Sequence, residues 1–304
     1  MQPTRRALLL TATAAFAAAA FAGTAAADWR KQYPEVTLGV ITSENEADRV
    51  VRYKPVMEYF EKKLGVRINW RSATDYAGII EGVKAKKVEI ARFGPAAYAQ
   101  AWIVTEGQVE PLVGELDPAG DFGYYSVVVV KKDSPFKTIE DLKGKTFAFA
   151  DPNSTSGFQA PSYFMREAGI DPTTFFGSTT FSGSHENSVM ALVNGSVDAA
   201  ATWARTSIGN VSRMEGKGMI PGDSTRTIWT SPLLPASPWA MPTWLPEEMR
   251  RDVTKVLLDM PTEGKDAWLA LTDGKAAGFK ETSHEEYDPI VRMIRENLRQ
   301  RRSS

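Results

Sequence analysis

Strand-like and helix-like patterns alternate along this chain in two successive series, and this alternation constrains the fold more than any other feature. In the first series the apolar run 36–41 precedes a helical pattern that ends near Gly65. The alternating segment 66–70 follows, and then a helical stripe that includes Tyr76. Strand, helix, strand and helix in this order predict a parallel sheet that is covered by helices on both faces.

The second series begins after the turn-rich stretch 117–120 with a long β-branched strand, 124–130. Three further strand patterns follow, each leading into a helical pattern: 147–150, 179–181 and 197–200. The proline-rich segment 228–235 is then typical of an extended chain that crosses back to the first series.

These two series predict an α/β fold with two lobes, since the chain is too long for one compact core. We assign residues 28–122 and 236–304 to the first lobe, and residues 123–235, which include the hinge strands, to the second. Two extended crossovers would form the hinge. A cleft between such lobes is where small ligands bind, because strand carboxyl ends and helix amino ends meet there.

The first 27 residues have the pattern of a cleaved signal peptide. Arg5 and Arg6 precede an alanine-rich apolar stretch, and the small residues 25–27 predict cleavage before Asp28. The paired arginines favour twin-arginine export to the periplasm, and a Sec signal stays open as the alternative. No later segment reaches the roughly 20 apolar residues of a membrane span, so we expect no membrane insertion after cleavage.

Composition excludes several other classes of protein. The chain has no cysteine, which rules out disulfides, thiol chemistry and a lipoprotein anchor. Loss of Arg5 and Arg6 moves the formal net charge from −1 to −3, a balance that gives no indication of nucleic-acid binding. Since His284 has no second candidate ligand nearby in sequence, we expect no metal site, and no motif indicates a cofactor.

The segment 151–158 carries the clearest chemistry, because it follows a strand and opens a helix with Ser154, Thr155 and Ser156. The first backbone N–H groups of a helix have no partner within the helix, so together with these hydroxyls they can surround an oxyanion. Ordinary helix capping is the alternative, for which one hydroxyl suffices. His185 begins another predicted helix on the same rim, as an anion donor or as a capping residue.

Two tyrosines have two possible roles. Tyr76 lies in a helical stripe and Tyr124 begins a strand, positions that usually serve packing. Their phenols would alternatively donate hydrogen bonds across the cleft. Trp203 and the other tryptophans of the later chain are equally consistent with the core and with a cleft wall.

Together these segments resemble one family, the periplasmic phosphonate-binding proteins of ABC importers, which is grouped with phosphite and phosphate binders. The matching runs keep the order of the family and are 39–44, 61–66, 75–80, 123–127, 132–135, 151–158 and 184–187. The resemblance implies a type II periplasmic fold of the venus-flytrap kind. It also implies a small phosphorus oxyanion as the ligand, and an ABC permease with its ATPase as partners.

By matching motif, the resemblance implies phosphoryl-binding roles for six residues: Tyr76, Tyr124, Ser154, Thr155, Ser156 and His185. Two positions depart from members that hold the ammonium of aminoethylphosphonate with a glutamate and an aspartate, since this chain has Arg205 and Ser237 there. An arginine repels an ammonium, so we expect aminoethylphosphonate to be disfavoured. The remaining candidate ligands are phosphite, phosphate, a short alkylphosphonate or a ligand with a second anionic or polar group that meets Arg205. The alternative for Arg205 is a solvated residue at the rim of the cleft.

Two other functions stay open at this point. One is a binder of another small anion, such as a sulfonate or an organic acid. The other is a hydrolase on the same fold that uses Ser154 or Ser156 with His185. Because nothing resembles a nucleophile elbow, we expect the protein not to be an enzyme.

Overall fold

The computed structural model describes residues 28–303, in which twelve strands form two mixed sheets. The strands are β1 (Glu35–Val40), β2 (Arg67–Arg71), β3 (Ile90–Arg92), β4 (Val109–Leu116), β5 (Gly123–Lys131), β6 (Thr146–Phe149), β7 (Ser178–Phe181), β8 (Ala199–Ala204), β9 (Thr225–Thr230), β10 (Leu234–Pro235), β11 (Pro238–Pro242) and β12 (Gly278–Glu281). The predicted signal peptide, residues 1–27, lies outside the described residues.

Eleven α-helices accompany these strands in the described part of the chain. They are α1 (Trp29–Gln32), α2 (Glu46–Leu64), α3 (Tyr76–Lys84), α4 (Pro95–Val104), α5 (Ala160–Glu167), α6 (Pro172–Phe175), α7 (His185–Val193), α8 (Asn210–Gly216), α9 (Glu247–Glu263), α10 (Lys265–Thr272) and α11 (Asp288–Ser303). Short 3₁₀ turns lie at Glu140–Leu142 and His284–Tyr287, and a π-helical turn at Thr155–Gln159 leads into α5. None of the helices within 28–303 is long and apolar enough to cross a bilayer.

Local sequence explains where the longest helix of the first lobe begins and ends. Asn45 precedes α2, and its side chain accepts a hydrogen bond from the backbone N–H of Asp48. At the other end Gly65 adopts a left-handed conformation with φ of 69°, which a residue without Cβ reaches at little cost. The predicted helix end at Gly65 is confirmed.

The first sheet has the strand order β12-β4-β11-β3-β1-β2, and the second has β10-β5-β8-β6-β7 with β9 also paired to β5. The predicted parallel arrangement holds where strands and helices alternate, since β1 is parallel to β2 and β3, and β6 is parallel to β7 and β8. It fails for β5 and β11, which are antiparallel to their neighbours. Both strands lie next to a crossing between the sheets, where no crossover helix reverses the chain.

The chain crosses between the sheets twice, between β4 and β5 and again between β10 and β11. The C-terminal helix α11, which we assigned to the first lobe, packs against both lobes. Ile290 and Ile294 share one buried cluster with Ala96 of α4, Ala160 of α5 and Tyr124 of β5. The predicted division at residues 122 and 236 itself stays a prediction, and α11 contacts both of its parts.

Candidate functional site

A cavity of about 90 Å³ lies between the two sheets and is lined by every residue predicted for the site. The eight predicted residues that line it are Tyr76, Tyr124, Ser154, Thr155, Ser156, His185, Arg205 and Ser237. Since one water needs about 10–15 Å³ of such a space, the cavity admits a small molecule of a few heavy atoms. The structure brings these residues together, and their role in binding stays a prediction.

Several helix N-termini meet at this cavity. The π-helical turn begins after Ser154, α7 begins at His185, α3 begins at Tyr76, and α4 begins after Gly94; all four of these residues line the space. Each of these N-termini presents backbone N–H groups that have no partner within the helix, and the positive end of a helix dipole. The arrangement concentrates positive potential without fixed charge, which suits an anion.

The π-helical turn presents the predicted hydroxyl run. Ser154 caps the turn, where its Oγ accepts a hydrogen bond from the Gly157 backbone N–H at 3.0 Å and is hydrogen-bonded to His185 Nε2 at 3.0 Å. Thr155 Oγ1 accepts from the Ala96 backbone N–H at 2.8 Å, which links the turn to the first lobe. Capping and an anion cradle are therefore not exclusive, because Ser154 performs the capping and the turn still faces the cavity.

Both predicted tyrosines are buried at the cavity wall. Burial and the nearby carboxylate of Asp151 raise the pKa of Tyr76, against a hydrogen bond with Ser154 that lowers it. Burial raises the pKa of Tyr124 to about 12, against hydrogen bonds with Thr155 and Ser156. Both phenols are thus protonated at neutral pH and present O–H groups that can donate to an anion.

His185 is a buried, neutral histidine. Burial lowers its pKa to about 3, and its two ring nitrogens contact Ser154 Oγ and, at 3.3 Å, Thr202 Oγ1. Its backbone N–H donates to the Ser43 carbonyl of the first lobe at 3.2 Å. The side chain therefore takes part in a neutral hydrogen-bond network and contributes no positive charge to the site.

We expect His185 to make the protein acid-sensitive. In the unfolded chain a histidine has a pKa of about 6.5, so below this pH the unfolded state binds a proton that the folded state does not. Stability is then lost as the pH falls, by about 2 kcal/mol at pH 5. Chemical denaturation at pH 7 and pH 5 should show that His185→Gln removes this loss. The control is His284→Gln, at a partly exposed histidine; an equal loss in wild type and His185→Gln would contradict the assignment.

The opposite part of the cavity wall is charged. Glu115, at the end of β4, accepts hydrogen bonds from Arg92 Nη2 of β3 and from Arg205 Nη1, the latter at 2.6 Å. Burial opposes ionisation of Glu115, but Arg205 and Arg92 hold the pKa of its carboxyl well below its usual range. The alternative of a solvated rim position for Arg205 is wrong, because its side chain is 10% exposed and paired with Glu115.

Sequence reasoning missed most of the charged wall. Five charged lining residues were not assigned to the site: Glu44, Arg52, Arg92, Glu115 and Arg213. Arg52 Nε donates to Glu44 Oε1 at 2.9 Å, and Arg213 lies over the ring of Trp203. Only Glu44 had a signal, since it ends one of the matching runs; the others are single charges in unremarkable strand and helix patterns.

The structure also shows which of the tryptophans and histidines lie at the cavity. Trp203 lines the cavity, whereas Trp239 is fully buried in the core of the first lobe. His284 stacks on Trp102, away from His185. Across the described residues 28–303, no group of three His, Asp or Glu side chains is arranged to hold a metal ion.

Comparisons with known proteins agree with this geometry. The family described as "ABC transporter, phosphonate, periplasmic substrate-binding protein" matches residues 38–287. The phosphonates-binding periplasmic protein of Escherichia coli (strain K12) is 34% identical over 212 residues, which cover 68% of this chain and 61% of that relative. The phosphate-import protein PhnD of Mycolicibacterium smegmatis is 33% identical over 217 residues, covering 68% of this chain and 66% of that relative.

A solved structure extends the agreement to the fold. The binding protein component of an ABC phosphonate transporter from Pseudomonas aeruginosa superposes with a TM-score of 0.77 at 28% identity, covering 88% of this chain and 87% of that chain. The matched part of the chain spans slightly less than two thirds of the length of each of the two curated relatives. It spans most of the Pseudomonas aeruginosa structure. The predicted two-lobed type II α/β fold and the predicted resemblance are confirmed.

Proposed function

The chain belongs to the family of periplasmic substrate-binding proteins of phosphonate ABC transporters, and from this membership we propose that it captures a small phosphorus oxyanion for import. The ligand is a phosphonate, phosphite or phosphate, and the partners are an ABC permease and its ATPase. One relative is named for phosphonates and another for phosphate import, which supports this range of ligands.

The convergence of helix N-termini and neutral O–H donors at the cavity carries the proposal. A tetrahedral dianion needs many donors around three or four oxygens, and backbone N–H groups supply them without the desolvation cost of fixed cations. Ser154, Thr155 and Ser156 contribute from the second lobe and Tyr76 from the first. We infer that the oxyanion binds between them and draws the two lobes together.

Arg205 and Ser237 narrow the range of ligands. Both line the cavity, so both are available to contact a substituent on phosphorus. The guanidinium of Arg205 is hydrogen-bonded to Glu115 and brings a positive charge to the cavity wall, which disfavours a ligand ammonium. We propose that phosphite, phosphate and short alkylphosphonates bind well and that aminoethylphosphonate binds weakly.

The protein acts by binding and not by catalysis. Ser154 and His185 are hydrogen-bonded, as in a nucleophile and base pair, but a histidine with a pKa of about 3 is a weak base at neutral pH. Its other ring nitrogen contacts Thr202 and not a carboxylate, so it lacks the orienting acid of a catalytic triad. Absence of turnover of phosphonate and phosphate esters by purified protein tests this statement.

We also propose that residues 1–27 direct export to the periplasm, by the twin-arginine route. The paired Arg5 and Arg6 support that route, and the family is periplasmic. Replacing both arginines with lysine should leave the precursor uncleaved in the cytoplasm, whereas a Sec signal would tolerate the change.

A ligand panel tests the proposed binding. At about 100 times its dissociation constant, a true ligand should stabilise the folded protein by about 2.7 kcal/mol in thermal unfolding. We expect phosphonates, phosphite or phosphate to do so. Stabilisation by sulfonates or organic acids alone would favour a different solute class.

Ser156→Ala and His185→Ala should each weaken binding of the responding ligand by about 1–3 kcal/mol, because each removes a buried hydrogen-bonding group. Titration calorimetry measures the loss. Ser162→Ala is the matched control, since Ser162 is a buried serine of α5 that does not line the cavity. Unchanged affinity in both site variants would remove these residues from the site.

A further inference from the structure

One ion pair at the cavity wall belongs to both lobes. Glu115 lies on β4 of the first sheet, and Arg205 follows β8 of the second, so their 2.6 Å hydrogen bond crosses the cleft. The pair is well buried, with side-chain exposures of 5% for Glu115 and 10% for Arg205. Because the two residues lie on different lobes, the contact forms only when the lobes meet. Separating the lobes would return Arg205 to solvent.

Both carboxylate oxygens of Glu115 are taken by protein groups. Oε1 accepts from Arg92 of its own lobe and Oε2 accepts from Arg205 of the other. A ligand cation reaching this part of the cavity would therefore find no free oxygen on Glu115. It would also meet the positive charges of Arg92 and Arg205 at close range, which is unfavourable in a low-dielectric site.

The charged wall lies next to the proposed phosphoryl site. Tyr124 hydrogen-bonds with Thr155 and Ser156, and the charges of Arg205 and Arg92 also act on its hydroxyl and oppose the rise in its pKa. Arg205 lines the same small cavity as the π-helical turn, so a substituent of one or two carbons on a phosphorus atom at the turn shares this space with Arg205.

We propose that Arg205 is the residue that sets substituent specificity, because its guanidinium fills the place of a cationic ligand substituent against Glu115. The Glu115–Arg205 pair then supplies a contact between the lobes at this place without a ligand substituent, so a ligand need supply only its phosphoryl group. This inference rests on the proposed function. It assigns the protein to small phosphorus oxyanions with a short, uncharged substituent or none.

Removing Arg205 should reverse the preference. In Arg205→Ala the space beside Glu115 Oε2 is vacated, and the carboxylate oxygen is left short of a donor. The ammonium of 2-aminoethylphosphonate is a cation that can refill this position, whereas the methyl group of methylphosphonate cannot. Arg92 still pairs with Oε1, so Glu115 keeps one cationic partner in the variant.

The experiment measures dissociation constants for methylphosphonate and 2-aminoethylphosphonate by calorimetry. Wild type should bind methylphosphonate at least about tenfold more tightly than 2-aminoethylphosphonate. In Arg205→Ala the ratio of the two constants should shift toward 2-aminoethylphosphonate by about 10- to 100-fold, the range of a hydrogen bond to a charged group. Arg205→Lys keeps a cation at the position and should retain the wild-type preference.

Arg213→Ala is the matched control for lobe closure. Arg213 also lines the cavity, and its Nε lies 2.8 Å from Asp273 of the first lobe, but Asp273 is partly exposed and keeps Arg52 as a partner when Arg213 is lost. This variant should weaken both ligands by the same factor. An Arg205→Ala variant that also weakens both ligands equally would overturn the inference and leave the proposed function intact. Failure of wild type to bind any phosphorus oxyanion would overturn both.

Discussion

Gly157→Ala is expected to lower ligand affinity by at least about 100-fold. A Cβ at this position would lie 2.5 Å from the Cβ of Ala150 and 2.8 Å from both His185 Cε1 and Ser154 Oγ. These neighbours are a strand end and two site residues, so the clash displaces the π-helical turn itself. Overpacking of this kind costs about 1–3 kcal/mol, and the displaced turn also loses its hydrogen bonds to the ligand.

Calorimetry with the best ligand of the panel measures this loss, and thermal unfolding shows whether the variant is folded. The control is Gly216→Ala, at a glycine in α8 where an added Cβ meets no heavy atom within 4 Å. We expect that variant to bind as wild type does. Wild-type affinity in a folded Gly157→Ala protein would show that the turn does not hold the ligand.

The part of the site near Gly157 was predictable because its residues are contiguous in sequence. Ser154, Thr155 and Ser156 follow a strand and open a helix, and both features are local patterns. The π-helical geometry was not predictable, because it depends on tertiary contacts. Thr155 is held by the backbone of Ala96, and the Ser156 carbonyl accepts from Ser126 Oγ at 2.7 Å.

The charged wall shows why the remainder of the site escaped sequence reasoning. Glu115 and Arg205 are 90 positions apart, and no periodicity relates them. Their pairing depends on the crossing between the sheets, which places the end of β4 opposite the end of β8. The sequence predicts that two lobes exist, but which side chains meet across the cleft depends on how the lobes dock.

Other contacts across the cleft are polar as well. Lys217 of the second lobe pairs with Asp48 at the start of α2 and lies 3.4 Å from Glu186 of its own lobe. Glu186 in turn accepts from the backbone and side-chain N–H groups of Asn45, each at 2.9 Å. Polar contacts of this kind exchange readily with water, so this part of the cleft can open without exposing apolar surface of its own. A binding protein that must release its ligand benefits from such an interface.

Glu115→Ala should have the largest effect on stability, a loss of about 3–5 kcal/mol. The substitution leaves Arg92 and Arg205 without their shared anion, and an unpaired buried charge is costly. Opening of the lobes returns Arg205 to water, so most of the loss in the ligand-free protein comes from Arg92. Urea denaturation measures it, and Asp259→Asn, which removes the half-buried partner of the exposed Lys255, should change stability by less than about 1 kcal/mol.

A double variant separates loss of the pair from loss of a charge. The double variant combines Arg92→Met with Glu115→Leu. Apolar side chains of similar size then replace both charged side chains, so no buried charge of this pair is left unpaired in the first lobe. Replacing a buried pair in this way is often neutral or stabilising, so the double variant should be more stable than Glu115→Ala by about 2 kcal/mol or more. The double variant should still bind ligand more weakly than wild type does, because Arg205 has no partner when the lobes close. A double variant as unstable as Glu115→Ala would mean that packing around Glu115, and not its charge, stabilises the first lobe.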